Sequence, residues 1–411
     1  MLKIVYPICC GIDVHKTFLV ACIASTNDKG VTTYQTKRFS IYTKSLNEFS
    51  DWLAENNCND VCMESTGKYW HPVWNVLERT CRPVLAHPKY LKAIRGKKTD
   101  KKDAKWIADV FKHDLVSGSF IPPENIRQLR DLMRYRSKLT NYTTGEKNRA
   151  QNCLTTSNIQ LDHVFTDVFG KSATAILNHI LENPGEIFDV APFVDRRCKT
   201  PVEEIQLSID GNISPEQAEK LKIIRSHMGS LELCKLNLES IVLTLAEPLL
   251  QQINLVSTVP GIKSFSAIGV IAEIGTDMSA FPSAKHLCSW AGLAPQCNES
   301  GGKKKSSRVS KAGAYIKPLL IQCSNAVVKS NKHPEIKTRF LSIKKRRGHK
   351  KAIVAVARML LTAIFHILSK NEPYNPVLYK ISDIAPVDTV DRAIKILEKR
   401  GFSVFQPVVN S

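Results

Sequence analysis

The chain has 411 residues, 43% of them hydrophobic, which is enough material for two or three domains with buried cores. Lys and Arg total 58 against 38 Asp and Glu, giving a net charge of +20 and a pI of about 9.4. This excess favours a polyanionic partner, nucleic acid before an anionic membrane surface. No apolar run approaches the roughly 20 residues that a membrane span requires, and the first residues lack the apolar core of a secretory signal.

The twelve cysteines include no Cys-x-x-Cys pair. Several of them, such as Cys9, Cys22 and Cys62, stand in predicted strands at positions where an apolar residue is usual. We therefore expect free thiols in a reducing cytoplasm rather than disulfides or a structural zinc site.

The first strong pattern is a predicted β-hairpin near the amino terminus. A buried strand ends around Asp13, and the apolar run at residues 18–24 predicts its hairpin partner. Gly11 gives the backbone of the first strand room for a close neighbour. A carboxylate at the end of a buried strand needs a partner, and a divalent cation would serve.

Strands and helices then alternate as far as residue 115, which predicts an α/β layer structure. The predicted elements are a strand at 31–41, an amphipathic helix at 44–57, a strand at 60–64, a helix at 69–79 and a strand at 82–86. Glu64, like Asp13, stands at a strand end with a polar turn beyond it. Strand ends are where open sheets form their sites.

Two more acids begin the next predicted helix. Asp100 and Asp103 are three residues apart and share one face of a helical start. Each acid also has a plain explanation, because Asp is favoured at helix starts and turns, and Glu64 is compatible with a solvated strand end. Together, the four carboxylates supply enough oxygen ligands for two Mg²⁺ ions. Two such ions roughly 4 Å apart support phosphodiester chemistry.

Three short blocks resemble a known family: GIDVHK at residues 11–16, MESTG at 63–67 and KTDKKDA at 98–104. They are similar to the blocks of the DEDD transposases, RuvC-like recombinases of insertion elements related to the Piv/MooV invertases. Their order and combination are more specific than any single block. The resemblance implies an RNase H-like (RuvC-like) α/β catalytic domain over residues 1–115. It also implies that four acids bind Mg²⁺ or Mn²⁺: Asp13, Glu64, Asp100 and Asp103.

The middle of the chain, residues 120–255, is polar and helical. Apolar residues at helical spacing predict long helices at 124–152 and 229–252, which could form an antiparallel coiled-coil arm or a subunit interface. Residues 157–227 between them contain no pattern that indicates catalysis or ligand binding, and they are interpreted as a helical spacer. The resemblance implies a dimerising arm here.

A proline-glycine turn at residues 257–263 precedes an apolar helix at 265–274. It resembles the turn of a helix-hairpin-helix, whose backbone N–H groups grip a phosphate. Lys263 stands at the place of the usual second glycine. A phosphate contact and an ordinary turn both remain open for this segment.

Most of the charge imbalance lies between Lys303 and Lys351, where 16 Lys and Arg face one acid, Glu335. A run of charge is commonly a solvated face, but this one carries +15 of the net +20 and so marks the polyanion-binding surface. The predicted nucleic-acid contacts are Lys263, Lys303, Lys304, Lys305, Arg308, Lys311, Lys344, Lys345, Arg346 and Arg347.

A candidate nucleophile precedes this run. The residues alone leave four candidate serines: Ser300, Ser306, Ser307 and Ser310. A flexible Ser/Gly loop is the plain alternative. Residues 295–301 (PQCNESG) resemble the Pro-x(4)-Ser-Gly block of the same family, which carries its nucleophilic serine, so the resemblance gives that role to Ser300.

The remaining carboxyl-terminal patterns are helical. Helices are predicted at 314–329 and, entirely buried, at 352–368, so residues 256–370 would form a mostly α transposase domain with a helix-hairpin-helix-like element. Residues 371–411 form a tail with a small amphipathic helix at 390–399, for which the sequence indicates no role.

The combined hypothesis is a transposase or site-specific recombinase acting on double-stranded DNA, at element ends and target. Ser300 would form a covalent phosphoserine, and the resemblance favours acids and serine meeting across protomers. It also implies a homodimer or homotetramer, admits a guide RNA, and places the protein in the prokaryotic cytoplasm with the nucleoid and without a membrane partner. Two alternatives remain: a RuvC-like metal-dependent nuclease that uses water, and a non-catalytic nucleic-acid-packaging protein.

Overall fold

A five-stranded mixed sheet forms the centre of the first unit, Met1–Pro122, in the computed structural model. The structure describes residues 2–65, 67–91, 99–295, 298–301, 303–306, 308–376, 394, 397, 398, 401 and 403, with the backbone only at 89–90, 298–300 and 303–306. The elements of this unit are β1 (Ile8–Val14), β2 (Phe18–Thr26), β3 (Thr32–Ser40), α1 (Thr43–Glu55), β4 (Asp60–Glu64), α2 (Trp70–Leu77), β5 (Arg82–Ala86), α3 (Pro88–Leu91) and α4 (Asp100–Lys112).

The strand order is β3-β2-β1-β4-β5. β1 and β2 pair antiparallel, as do β2 and β3, whereas β1 pairs parallel with β4, and β4 with β5. The predicted hairpin and the α/β layer structure are confirmed, and β4 and β5 have the predicted bounds. Because β1, β4 and β5 are mutually parallel, their carboxyl ends lie on the same side of the sheet.

The two faces of the sheet have different neighbours. Alternate residues of β1, such as Ile12, join the core that includes Phe49 of α1 and Trp74 of α2. The other set faces α4, where Gly11 permits close approach: a Cβ there would lie 2.3 Å from both the Ala104 carbonyl oxygen and the Ala108 amide nitrogen. α4 is therefore fixed directly against β1.

We expect Gly11→Ala to lower the free energy of unfolding by about 1–3 kcal/mol, because the added methyl group must push α4 off the sheet. Urea unfolding followed by circular dichroism measures the change. Gly229→Ala is the matched control, since its Cβ meets nothing within 4 Å on the α9 helix (Pro215–Ala246), and it should stabilise by about 0.5–1 kcal/mol. Equal effects from both substitutions would contradict the close packing.

The cysteines of the described residues are free thiols, as the sequence predicts. Burial raises the pKa of the Cys9 and Cys62 thiols to about 12, so neither is a nucleophile at neutral pH. These thiols act as small apolar core residues.

The second unit, Pro123–Ser411, is mostly helical in its described part. Its α-helices and strands are α5 (Glu124–Thr156), α6 (Leu161–Val164), α7 (Lys171–Glu182), α8 (Val202–Leu207), α9 (Pro215–Ala246), α10 (Leu250–Ser257), α11 (Ser264–Ile274), α12 (Ala284–Trp290), β6 (Asn298–Ser300), β7 (Lys303–Ser306), α13 (Ile316–Lys329), α14 (Pro334–Arg347) and α15 (His349–Lys370). Short 3₁₀ turns lie at Ala191–Phe193, Glu247–Leu249 and Met278–Ala280.

α5 and α9 are the two long predicted helices, and they pack against each other. Arg136 donates to Glu239 (2.7 Å), and Glu146 lies 3.1 Å from His227, so the helices run antiparallel. A cluster of leucines that includes Leu139 lies between the two helices. On each helix, the leucines of this cluster are seven residues apart. α9 begins at Pro215, well before the predicted start at 229, because its first half packs in the core of the intervening segment.

That segment, residues 157–227, packs in an apolar core built from α6, α7, α8, the start of α9 and the end of α5. Ile176 and Leu221 are fully buried there. The predicted helical spacer is thus a small packed module.

α11 is anchored to α5 by two arginines. Arg130 donates to the carbonyl oxygens of Ala272 (2.9 Å) and Glu273 (2.7 Å) at the end of α11. Arg134 forms a two-bond pair with the buried Glu273 carboxylate at 2.7 and 2.8 Å. Burial lowers the pKa of Arg130 to about 10. Bidentate charged bonds of this kind fix the position of α11 against α5.

Helix α15 packs against α12, α13 and α14. Among the described helices it alone is long and apolar enough to cross a membrane by length and composition, contrary to the expectation that no apolar run comes near that length. One face, including Val356 and Leu360, is buried, whereas the helix was predicted to be buried all round. The predicted helix at 390–399 falls largely outside the described residues.

Candidate active site

The amino-terminal end of α4 carries two of the predicted acids. The cap is Thr99, whose hydroxyl accepts from the backbone N–H of Lys102 at 3.4 Å, and Asp100 and Asp103 lie in the first turn. Asp100 is therefore not needed as a capping residue, and half of its side chain is exposed. The positive end of the helix dipole favours both carboxylates.

Asp13 reaches the same place from the sheet. Side chains alternate along a strand, so Asp13 shares the face of Cys9 and Gly11, which both contact α4. The Cys9 thiol lies 3.6 Å from the Ala108 carbonyl oxygen. Asp13 points toward the amino-terminal end of α4 and is 14% exposed.

Glu64 ends the neighbouring strand at the same level. The parallel pairing of β1 and β4 places Ile12 opposite Met63, so the next residues along, Asp13 and Glu64, lie side by side at the carboxyl ends. Because side chains alternate along a strand, Glu64 lies on the same face of the sheet as Cys62, and Cys62 packs in the core beneath α4.

His15 connects two of these acids, although the sequence alone predicted no role for it. Its Nε2 atom lies 3.2 Å from Asp13 Oδ2 and 3.6 Å from Asp100 Oδ1. One donor atom from each of the three side chains lies within 4.8 Å of the others, which is a spacing that a divalent cation could bridge. The signal was an Asp-x-His pattern at a strand end, where residues two apart share a face.

The environment of Asp13 disfavours its charge. Burial raises the pKa of the Asp13 carboxyl, the charge on His15 lowers it, and the charges of Asp100 and Asp103 raise it further. A bound cation would favour the charged form of Asp13. The donor set, carboxylates and one imidazole, fits a divalent metal.

The predicted nucleophile lies on a short hairpin that the sequence did not predict. β6 and β7 pair antiparallel, with Ser300 opposite Lys303 and Gly301 in the turn at φ +58°. The backbone of Ser300 is described, and its side chain lies outside the described part. The hairpin replaces the flexible Ser/Gly loop considered as an alternative.

Two glycines close the base of this hairpin. A Cβ on Gly292 would lie 2.4 Å from the Ala312 carbonyl oxygen, and one on Gly313 would lie 2.2 Å from the Ala291 carbonyl oxygen. Pro295 and Val309 form a bridge next to them. The chain therefore enters and leaves at one point, and Ser300 lies at the far end.

The predicted basic residues separate into two groups. Lys303, Lys304 and Lys305 belong to β7, and Arg308 and Lys311 follow it with exposed side chains. Lys344, Lys345, Arg346 and Arg347 form the exposed last turn of α14.

Cations at a helix carboxyl end also stabilise the helix, which is the plain explanation of the α14 group. Lys350 and Lys351 follow at once on α15 and are exposed too, and Gly348 at φ +81° turns the chain between the helices. Helix stabilisation does not account for cations at the start of α15. The α14–α15 corner is a concentrated cationic surface.

Lys263 immediately precedes α11 and is exposed, with no side chain capping the helix start. In the turn before it, Gly261 has φ +82°, and a Cβ there would lie 2.6 Å from the Cys323 carbonyl oxygen. Close packing against α13 thus explains the glycine, and the phosphate contact stays a prediction.

Two family models match the chain. The first, described as a transposase and built on the DEDD transposases of IS110 elements, matches residues 10–159. The second, the transposase IS116/IS110/IS902 family, matches residues 253–341. Together they cover more than half of the chain, and the four acids fall in the first match and Ser300 in the second.

The similar proteins agree with these matches. The pilin gene-inverting proteins of Moraxella bovis and Moraxella lacunata are 30% identical over 130 residues, which is 31% of this chain and 40% of theirs. The match therefore spans about 40% of the length of those relatives. The insertion element IS110 uncharacterized 43.6 kDa protein of Streptomyces coelicolor is 24% identical over 298 residues, 66% of this chain and 70% of its own. This chain belongs to the IS110 family of transposases.

Proposed function

We propose that the protein is a DNA transposase or site-specific recombinase of an insertion element that cuts and exchanges strands through a covalent phosphoserine. The observation that carries the proposal is the convergence of Asp13, His15 and Asp100 at the edge of a mixed sheet. It lies within the range matched by the transposase model. The names of the relatives, a gene inverter and insertion-element proteins, support DNA rearrangement as the activity.

The acidic cluster would hold Mg²⁺ or Mn²⁺, with Glu64 and Asp103 adding to Asp13 and Asp100. The cation would act as a Lewis acid on the scissile phosphate. The protein's part is to hold the carboxylates together at the carboxyl ends of the strands of a RuvC-like sheet, and the cation would favour their charged forms. The fixed contact between α4 and β1 supports this role, because it sets the separation of Asp13 and Asp100.

Ser300 would be the nucleophile. Its Oγ atom forms a bond to phosphorus and loses its proton, while the bond from phosphorus to a sugar oxygen breaks and that oxygen takes up a proton. The phosphoserine conserves the energy of the phosphodiester, so a second sugar hydroxyl can reverse the step and join a new strand. The exposed Gly301 in the hairpin turn, next to Ser300 in the chain, supports this role.

Acids and serine belong to different units of the chain, and we propose that they meet around one phosphate across protomers of a dimer or tetramer. Leu236 and Leu243 support such an assembly, because they lie seven residues apart on α9 and are 54% and 48% exposed. Besides the leucine cluster that packs against α5, α9 therefore carries a second row of leucines. This exposed row could pack against a helix of another protomer in a coiled-coil arm. Its burial against a partner copy would remove exposed apolar area.

The α14–α15 corner would contact DNA phosphates, or those of a guide RNA, in the prokaryotic cytoplasm. We expect the double substitution Lys345→Ala/Arg347→Ala to weaken binding to DNA duplexes, and to do so by a similar factor for duplexes of different sequence. The slope of log K against log salt should become shallower by about 1 for each phosphate that the variant no longer neutralises. Fluorescence anisotropy at several salt concentrations measures both effects. Lys220→Ala, on the exposed surface of α9, should leave the slope unchanged, and an unchanged slope in the double variant would remove this corner from the interface.

The proposal is tested by incubating the purified protein with a supercoiled plasmid that carries the element's ends, with and without Mg²⁺. We expect cleavage only with the cation, and protein that stays attached to DNA on denaturing gels. Peptide mapping of the adduct should identify Ser300. Cutting without an adduct would favour the nuclease that uses water, and no cutting with cation-independent binding would favour the packaging protein.

A further inference from the structure

His15 lies among the acids of the candidate site, where nothing in the proposed reaction requires an imidazole. Its Nε2 atom approaches oxygens from both the sheet and α4, at 3.2 Å from Asp13 and 3.6 Å from Asp100. These three donors are the group within the described residues that could hold a metal ion. A nitrogen donor is thus placed beside two carboxylates.

A backbone turn and a neighbouring aromatic ring hold the His15 imidazole in place. The turn after β1 is closed by a bond from the His15 amide to the Phe18 carbonyl oxygen at 2.9 Å. The Phe18 ring lies 4.5 Å from the imidazole, centroid to centroid, and the Arg38 guanidinium lies 3.7 Å from the Phe18 ring centroid. A ring supported by a turn and by a tilted contact with a second ring loses little freedom when Nε2 binds a ligand.

The residue type bears on which cation the site takes. Mg²⁺ is bound through carboxylate and water oxygens, whereas imidazole is a ligand of transition-metal ions. Resting on the proposed metal-dependent function, we propose that His15 supplies a nitrogen ligand to the cation held by Asp13 and Asp100. The site then prefers a divalent transition-metal ion to Mg²⁺. The ordinary alternative is an imidazolium that pairs with the two carboxylates and that a metal displaces.

Mn²⁺ is the probe that distinguishes these cases on the full-length protein without DNA. Pulsed electron paramagnetic resonance of bound Mn²⁺ should show a nitrogen coupling, which should disappear in His15→Ala. By calorimetry, His15→Ala should weaken Mn²⁺ binding at least about tenfold and Mg²⁺ binding less than about twofold, the larger factor being typical of removing a partner at a metal site. His15→Asn, which keeps a polar side chain, should behave like His15→Ala.

Two controls separate the outcomes. His163→Ala, on an exposed surface of the second unit, should change nothing, and Asp13→Asn should lose both cations. Bound Mn²⁺ without nitrogen coupling, or Mn²⁺ affinity retained in His15→Ala, would overturn the role of His15 and leave the metal site of the proposed function intact. If neither cation binds in an Asp13-dependent way, the metal site and the role of His15 both fail.

Discussion

Asp13→Asn should reduce DNA cleavage and strand exchange by at least about a thousandfold, because the cation that it helps to hold contributes several kcal/mol of transition-state stabilisation. Asparagine has nearly the same shape and keeps one oxygen, so the side chain still fits between β1 and α4. The cation, however, loses an anionic ligand at the most buried position of the cluster, where Asp13 is 14% exposed. Plasmid cleavage at saturating Mg²⁺ measures the effect.

The same substitution should leave the fold intact. Burial raises the pKa of the Asp13 carboxyl, so the folded protein disfavours the charged form, and a neutral side chain removes that cost. We therefore expect an unchanged or higher melting temperature without metal. A lower one would mean that the loss of activity reflects misfolding.

Asp60→Asn is the matched control within the same sheet. Asp60 is the first residue of β4 and Glu64 the last, so they lie at opposite ends of the strand. Asp60 accepts two hydrogen bonds from Arg82, at 2.8 and 2.7 Å. The Arg82 side of this pair is solvent-exposed, so the loss of the Asp60 charge should change stability little. Cleavage should be normal. If Asp60→Asn abolishes cleavage and Asp13→Asn does not, the catalytic edge of the sheet has been misassigned.

The strands and the acid positions were predictable because local sequence encodes them. β4 and β5 have the predicted bounds, since short apolar runs between polar turns determine a buried strand. Asp100 begins α4, in agreement with the helical start predicted for Asp100 and Asp103. Order along the chain then implied that two strand ends and a helix start lie together.

The role of His15 and the hairpin that carries Ser300 were harder to predict from the sequence, because each depends on residues that are distant along the chain. The interaction of His15 with Asp100 requires α4 to pack on β1, which depends on the absence of a side chain at Gly11. The hairpin strands contain Lys and Ser with no apolar alternation, so no local pattern indicates strand. What forms the hairpin is the closure of its base, where Gly292 packs on Ala312 and Gly313 on Ala291.

Ser300→Ala should abolish the covalent protein–DNA adduct and slow strand exchange by at least about 10⁴-fold, the scale on which loss of a covalent nucleophile slows enzymes. The hydroxyl is the only group removed, and a nuclease that uses water would keep cutting. DNA affinity should be unchanged, since the lysines of β7 and the α14–α15 corner remain. Denaturing gels with end-labelled DNA measure the adduct.

Ser306→Ala and Ser310→Ala are the controls, since both serines lie near the same basic hairpin and were candidates by sequence. Both should retain the adduct. If Ser306→Ala loses it and Ser300→Ala keeps it, the nucleophile lies on the other strand of the hairpin.

Mixing two inactive variants tests where acids and serine meet. If each catalytic centre combines Asp13 of one protomer with Ser300 of another, an oligomer of Asp13→Asn and Ser300→Ala chains contains one centre with both residues intact, and part of the exchange activity returns. If both residues act within one chain, every centre lacks one of them and no activity returns. Recovery on mixing, with neither variant active alone, would also show that the two substitutions remove separate parts of one reaction, because a misfolded chain could not supply the missing group.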